Sequence, residues 1–190
     1  MPRPLATSIH LNVMNNETFE LFFAMLSVAT LVGTIVVLLA RTVARSTSTG
    51  VAIVDGFRPF ARPLSAAIAT TCMLGSLYFS EIVNYKPCRL CWYQRGAMYP
   101  LAILLIVFTV LRTKRIARIV VPIAAIGAGI SLYHWLLERF PDNLDSGVCS
   151  KDVPCEFIWF ELFGFVTLPF MALTGFLAII VFNTLPTPTE

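Results

Sequence analysis

The chain has 190 residues, of which 57% are hydrophobic and 13% charged, with a formal net charge of +3 and a mean hydropathy of +0.77. So few polar side chains cannot cover a water-facing exterior, which excludes a soluble domain and makes lipid the main solvent of the surface.

A helix rises about 1.5 Å per residue, so a hydrocarbon core of ~30 Å takes roughly 20 mostly apolar residues to cross. Five runs meet that requirement: 21–40, 64–83, 92–111, 119–137 and roughly 163–185. They predict an all-α integral membrane protein of five transmembrane helices. A cleaved signal peptide fits the first run poorly, because it has the length of a span, follows Glu17 and Glu20 and precedes Arg41 and Arg45. Segment 41–63 carries Gly50, Gly56, Pro59 and Pro63 and suits a polar connection. Gln94 and Arg95 fall in the first turn of the third run, the least clean of the five.

Lysine and arginine beside the spans set orientation. Arg41, Arg45, Arg58 and Arg62 lie in 41–63, and Arg112, Lys114, Arg115 and Arg118 in 112–118, which assigns both loops to the cytoplasm. The connections 84–91 and 138–162 then face outward, the second being acidic through Glu138, Asp142, Asp145, Asp152, Glu156 and Glu161. The N-terminal tail is expected outside and the C-terminal tail inside. Four of the five cysteines lie in the outer connections, the compartment in which disulfides persist.

Within the bundle, Gly127 and Gly129 of Ile-Gly-Ala-Gly-Ile allow close helix approach, and Pro100, Pro122 and Pro169 are expected as tolerated kinks. Cys72 is mid-span and reads as a small apolar packing residue. Trp92, Tyr93, Trp135, Trp159 and Phe160 fall at the outer boundary, where aromatic anchors and the lining of an aromatic pocket look alike.

The chemistry begins at Cys88-Arg-Leu-Cys91. A Cys-x-x-Cys ring is short enough to pass between dithiol and disulfide without large backbone motion. Cys91 is expected at or just before a helix N-terminus, where unpaired amides favour the thiolate. Arg95, four residues on, shares its helical face about 6 Å along the axis. Arg95 either snorkels to the headgroups or pairs with Glu81, or else it faces an electron acceptor that becomes negative on reduction. Cys149 and Cys155 form a second pair, in Cys-Ser-Lys-Asp-Val-Pro-Cys. Alone it reads equally as a structural staple or as a redox partner of the first pair. A tetrathiolate zinc site has the right ligand count, but an oxidising compartment opposes it and no histidine supports it.

The run Pro87-Cys-Arg-Leu-Cys-Trp-Tyr-Gln-Arg-Gly-Ala-Met-Tyr-Pro-Leu101, with Cys149-Ser-Lys-Asp-Val-Pro-Cys155 downstream, resembles the DsbB/BdbC disulfide-bond-formation proteins of bacteria. The likeness covers 64–185. It divides the chain into 1–63, with tail, extra helix and basic loop, and 64–190, a DsbB-like four-helix redox domain. The resemblance implies a membrane thiol oxidase that reoxidises a DsbA-like thioredoxin-fold protein and passes two electrons to a quinone, ubiquinone or menaquinone. Its partners are that protein and membrane lipid, with no nucleic acid. Cys149 would be attacked by the partner's thiolate with Cys155 as its disulfide mate, Cys88 would exchange with the loop pair, and Cys91 would lie nearest the quinone. Arg95 matches the arginine beside the quinone ring.

Two features depart from the usual pattern. The span 21–40 is additional, and the loop pair is tight, as in the Gram-positive branch. His134, near the outer end of the fourth span, reads as a buried hydrogen-bonded side chain or as a proton acceptor. Two rivals remain: a membrane protein whose outer disulfides are purely structural, and a vitamin-K-epoxide-reductase-like thiol/quinone enzyme, whose loop pair precedes the Cys-x-x-Cys whereas here it follows.

Overall fold

The computed structural model describes residues 5–43, 47–111, 117–141, 149 and 153–185, with side chains from Asn16 onward. The basic residues Arg45, Arg112, Lys114 and Arg115 lie outside the described residues, as do Asp142, Asp145 and Asp152 of the acidic loop and both chain ends.

Five α-helices follow one another: α1 Leu5–Val43, α2 Ser48–Leu77, α3 Arg89–Val110, α4 Ala117–Arg139 and α5 Leu168–Asn183. The all-α membrane bundle expected from the apolar runs is the observed architecture. The stretches Asn16–Val43, Arg89–Val110 and Ala117–Arg139 are long and apolar enough to cross a bilayer. Helix α5 has 16 residues, about 24 Å, and is shorter than the run 163–185 that predicted it. Pro169 is the cause: it occupies the first turn of α5, where its missing N–H costs nothing, and so starts that helix instead of kinking it.

The larger correction concerns 41–63. Most of this expected connection is helix, because α2 begins at Ser48 and runs through Gly50, Gly56, Pro59 and Pro63. The Thr47 hydroxyl accepts from the Gly50 amide at 3.3 Å and caps its start. Tertiary burial holds the rest: Ala61 joins Val37 of α1 and Ala178 and Phe182 of α5 in one apolar cluster, with Phe57 against Phe182 at 4.9 Å between ring centroids. Packing of this kind outweighs the propensity cost of the glycines and prolines.

At its far end α2 widens into a π-helical turn, Tyr78–Ile82, and Asn84 at φ 64° reverses the chain toward Pro87 and α3. Asparagine tolerates that left-handed conformation better than most residues. Helices α3, α4 and α5 close around Leu101, Leu105, Val120, Ala124, Phe176 and Ile179, all fully buried. The N-termini of α3 and α5 and the C-terminus of α4 therefore meet at one end of the bundle. Exposed apolar side chains such as Phe22, Val36, Ile103 and Ile126 cover the outer faces, as lipid contact requires.

Gly127 of α4 makes room for the Phe176 ring of α5. A methyl group there would meet the Phe176 ring at 2.3 Å, whereas one at Gly129 would meet nothing within 4 Å. Gly127→Leu is therefore expected to destabilise the bundle by about 1–3 kcal/mol, and Gly129→Ala to leave stability essentially unchanged. Thermal unfolding in detergent measures both, and equal effects would contradict this packing.

Candidate active site

Pro87 keeps Lys86 out of helical backbone, Cys88 is itself extended with φ −72° and ψ 175°, and the helix starts at Arg89. Cys88, not Cys91, is thus the N-cap. Its sulfur accepts the Cys91 amide at 3.2 Å and lies 2.8 Å from the Cys91 sulfur. The expectation that put Cys91 at the helix N-terminus is corrected by one turn, and the amide stabilisation it invoked falls on Cys88.

The Cys88 thiol is pushed well below the ordinary cysteine range. The hydrogen bond with the Cys91 sulfur is the main cause, joined by His134 and the Cys91 amide, while burial works in the opposite direction. His134 comes from the last turns of α4. Its Nε2 is 3.6 Å from the Cys88 sulfur and 3.1 Å from the Cys155 carbonyl oxygen, and its Nδ1 is 3.3 Å from Gln94 Nε2. Both readings of this histidine meet here: it is buried and hydrogen-bonded, and it touches the cysteine that carries the thiolate.

Cys149 and Cys155 are joined in a disulfide with Cα atoms 5.9 Å apart, and Cys88 and Cys91 are free thiols. The ligand atoms of Cys88, His134 and Cys155 all lie within 4.8 Å of one another, so the two pairs adjoin through Cys88 and Cys155. Cys155 is 1% exposed and Cys88 5%, whereas Cys149 is only half-buried. A tetrathiolate zinc site is incompatible with this arrangement, because a disulfide sulfur is not a thiolate ligand. A void of ≈ 10 Å³ among Cys88, Cys155, His134 and Glu138 has room for one water at most.

Gln94, singled out beside Arg95 in the sequence but without a partner there, and Glu138, counted there among the acidic residues of the outer connection, both belong to this cluster. Glu138 is buried on α4 and accepts a 2.6 Å hydrogen bond from Thr167 just before α5. Its neighbour Arg139 takes the exposed role, pairing with Glu161 at 3.1 Å.

Cys91 borders the small void beside Cys88 and also lines a cavity of ≈ 470 Å³, together with Gln94, Arg95, Met98 and Tyr99 of α3. Arg95 donates to the Ser76 hydroxyl at 2.9 Å and the Ser76 carbonyl at 3.0 Å and stacks over Trp92 at 5.1 Å. Its contacts are therefore with Ser76 and Trp92, not Glu81, whose carboxylate accepts from Ser80. Trp159 lines the cavity and stacks on Tyr85 at 4.6 Å, while Trp92 and Tyr93 are exposed as boundary anchors. Cys72 lines the cavity wall and its sulfur lies 2.8 Å from where a Gly175 Cβ would stand, in keeping with a packing role.

A helical membrane bundle in which a dithiol adjoins a disulfide at one end is a framework suited to thiol–disulfide exchange. A profile of the family Disulfide bond formation protein DsbB matches residues 59–185, and the chain belongs to that family. It is 46% identical over 121 residues to Disulfide bond formation protein C of Bacillus subtilis (strain 168), covering 64% of this chain and 88% of that protein. It is also 49% identical over 108 residues to Probable disulfide formation protein C 1 of Bacillus anthracis (57% and 78%), and 44% identical over 117 residues to Probable disulfide formation protein C of Halalkalibacterium halodurans (62% and 85%). No solved structure gives a significant match. The protein is a DsbB-like, disulfide-forming, multi-pass membrane protein.

The Cys88 environment is open to titration. Thiolate absorbance followed against pH is expected to persist well below the ordinary cysteine range, and Cys91→Ala to move the midpoint upward by about one unit or more, equivalent to ~1.4 kcal/mol. His134→Ala shifts it the same way by less. Unchanged midpoints in both variants would overturn the assigned causes.

Proposed function

We propose that this protein reoxidises a thioredoxin-fold thiol protein of the DsbA type through Cys149 and Cys155, collects the electrons on Cys88 and Cys91, and passes them to a membrane quinone. The observation that carries the reading is the adjacency of Cys88 and Cys155 beside His134. A loop disulfide serving only as a staple has no need to lie against a reactive thiol.

The difference in exposure supports an order of exchange. A partner thiolate reaches half-buried Cys149, forms a mixed disulfide and displaces Cys155 as thiolate. Cys155 then attacks Cys88 of the Cys88–Cys91 disulfide, forming Cys88–Cys155 and releasing Cys91 as thiolate. The partner's second thiol resolves the mixed disulfide and leaves as an oxidised protein. The freed Cys149 thiolate attacks Cys155, restoring the loop disulfide and leaving Cys88 reduced. Two electrons have moved from the partner's dithiol to Cys88 and Cys91, and the loop pair is bonded while the helix pair is free, the pattern described above. His134 stands where a proton leaving the Cys88 thiol can be held.

The cavity beside Cys91 fits a quinone by size and lining, since ligand sites of this kind run about 300–1,000 Å³ and are mainly apolar with a few placed polar groups. A bound quinone would supply a two-electron, two-proton acceptor. Arg95 spends two of its N–H donors on Ser76, which holds the guanidinium in place and leaves others for an oxygen in the cavity. The redox end faces the extracytoplasmic side in this reading, in line with Arg41 and Arg118 at the opposite helix ends.

Replacing the buried mate traps the first step. Cys155→Ser is expected to accumulate a covalent adduct between Cys149 and a soluble thioredoxin-fold protein, visible on non-reducing gels and lost in Cys149→Ser/Cys155→Ser. Normal expression without adduct would remove the proposal.

Arg95→Ala is expected to weaken quinone binding by about tenfold or more, the loss of a charged hydrogen bond, without affecting that adduct. Unchanged affinity returns Arg95 to a purely structural role with Ser76 and Trp92.

A further inference from the structure

Helix α1 ends at Val43, before the first residue matched by the family profile, Pro59. It nevertheless forms one side of the cavity that holds Cys91 and Arg95, through Phe23, Leu26, Ser27, Ala29, Thr30 and Gly33. The opposite walls are α2 and α5, and the lining continues from Cys91 and Arg95 to Phe57 and Phe182 near the far end of the bundle. From Ser76 to Phe57 along α2 is roughly 28 Å, close to the depth of a hydrocarbon core.

Two sets of contacts fasten α1 and leave its middle apart from α2. At the cysteine end the Tyr85 hydroxyl donates to the Glu20 carboxylate, Phe19 packs on Tyr78 at 4.6 Å and Phe23 on Phe79 at 5.5 Å. At the other end Arg41 donates to the Thr184 hydroxyl at 3.1 Å. Between them, apart from Leu26, the side chains on the cavity are small: Ser27, Ala29, Thr30 and Gly33. A Cβ added at Gly33 would meet nothing within 4 Å, whereas one at Gly75 would meet the Phe23 ring at 2.9 Å, so contact is tight at the cysteine end and open at mid-depth. The hydroxyls of Ser27 and Thr30 bond back to the carbonyls of Ala24 and Leu26, at 3.0 and 2.8 Å, so this wall presents no unpaired donor to the groove.

We propose that α1 is the wall against which the isoprenoid tail of the quinone lies, with Gly33 and Ala29 keeping the groove open at mid-depth. The inference rests on the quinone reading above and adds to it a determinant of tail recognition outside the matched family region. The occupant follows from continuity: a long, apolar groove joined at one end to a polar site with Arg95 and a redox thiol suits a molecule with a polar ring and a long hydrocarbon tail.

The test measures equilibrium binding of a long-tailed menaquinone and of a tailless naphthoquinone to purified protein by quenching of tryptophan fluorescence, with Gly33→Phe filling the groove. Gly33→Phe is expected to weaken the long-tailed quinone at least tenfold and the tailless one less than twofold, with the Cys155→Ser partner adduct unaffected. Equal effects on both ligands, or none, overturn the role of α1 while leaving the quinone site intact. A wild-type protein that binds neither ligand overturns both readings. Should Gly33→Phe fail to fold, a quinone carrying a diazirine at mid-tail, photolysed with the wild-type protein, is expected to label α1 between Phe23 and Gly33. Label confined to α2 and α5, or label on α1 that excess unlabelled long-tailed quinone does not compete away, overturns the proposal, the latter by assigning the groove to lipid.

Discussion

The sulfur of Cys88 stands where three parts of the chain converge, and the arrangement of the redox end depends on that convergence. It caps α3, accepts the amide of Cys91, adjoins the Cys91 sulfur and lies beside His134 of α4 and Cys155 of the loop. A thiolate in a nearly dry site is costly unless hydrogen bonds replace its water shell. Here the replacements come from the helix start itself and from a histidine on a second helix, so the charge is affordable only while α3 and α4 keep their register.

That register is fixed at depth. Phe176 of α5 lies over Gly127 of α4, two turns below His134, and Leu101 and Leu105 of α3 are fully buried in the same core. Gln94 then ties His134 back to α3, and Thr167 bonds Glu138 just ahead of Pro169 in the first turn of α5. The apolar core sets the helices and the polar contacts orient the imidazole. Neither suffices alone, since a hydrogen bond contributes only about 1 kcal/mol net and cannot hold helices that packing has not already aligned.

Much of this was legible in the residues. The apolar runs announced the helices because lipid leaves a spanning chain few other ways to satisfy its backbone, and the two cysteine motifs announced exchange chemistry. The N-terminal half of α2 was not legible, since Gly50, Gly56, Pro59 and Pro63 are local signals for a loop and the contacts that overrule them, Ala61 and Phe57 against α5, are tertiary. The cap was misplaced by one turn although Pro87 offered a signal, because cysteine is not among the side chains that usually cap. Gln94 stands on α3 and His134 and Glu138 one turn apart on α4, and only the packed bundle shows that they share a cluster with Cys88.

The two sulfurs of the Cys-x-x-Cys pair touch each other and share one small void, yet only Cys91 also lines the large cavity. Cys88 adjoins Cys155 across a space, bordered also by Cys91 and His134, that admits one water at most. Cys91 looks into a large apolar cavity joined to the lipid-spanning part of the bundle. In the proposed exchange, which enters through half-buried Cys149, the path runs inward by way of Cys155 and Cys88, and the sulfur released is Cys91, which also lines the large cavity. Because the exchange rate depends on which sulfur a thiolate can reach as well as on thiolate fraction, burial of Cys88 and Cys155 would, in that proposed order, keep electrons from returning to soluble thiols.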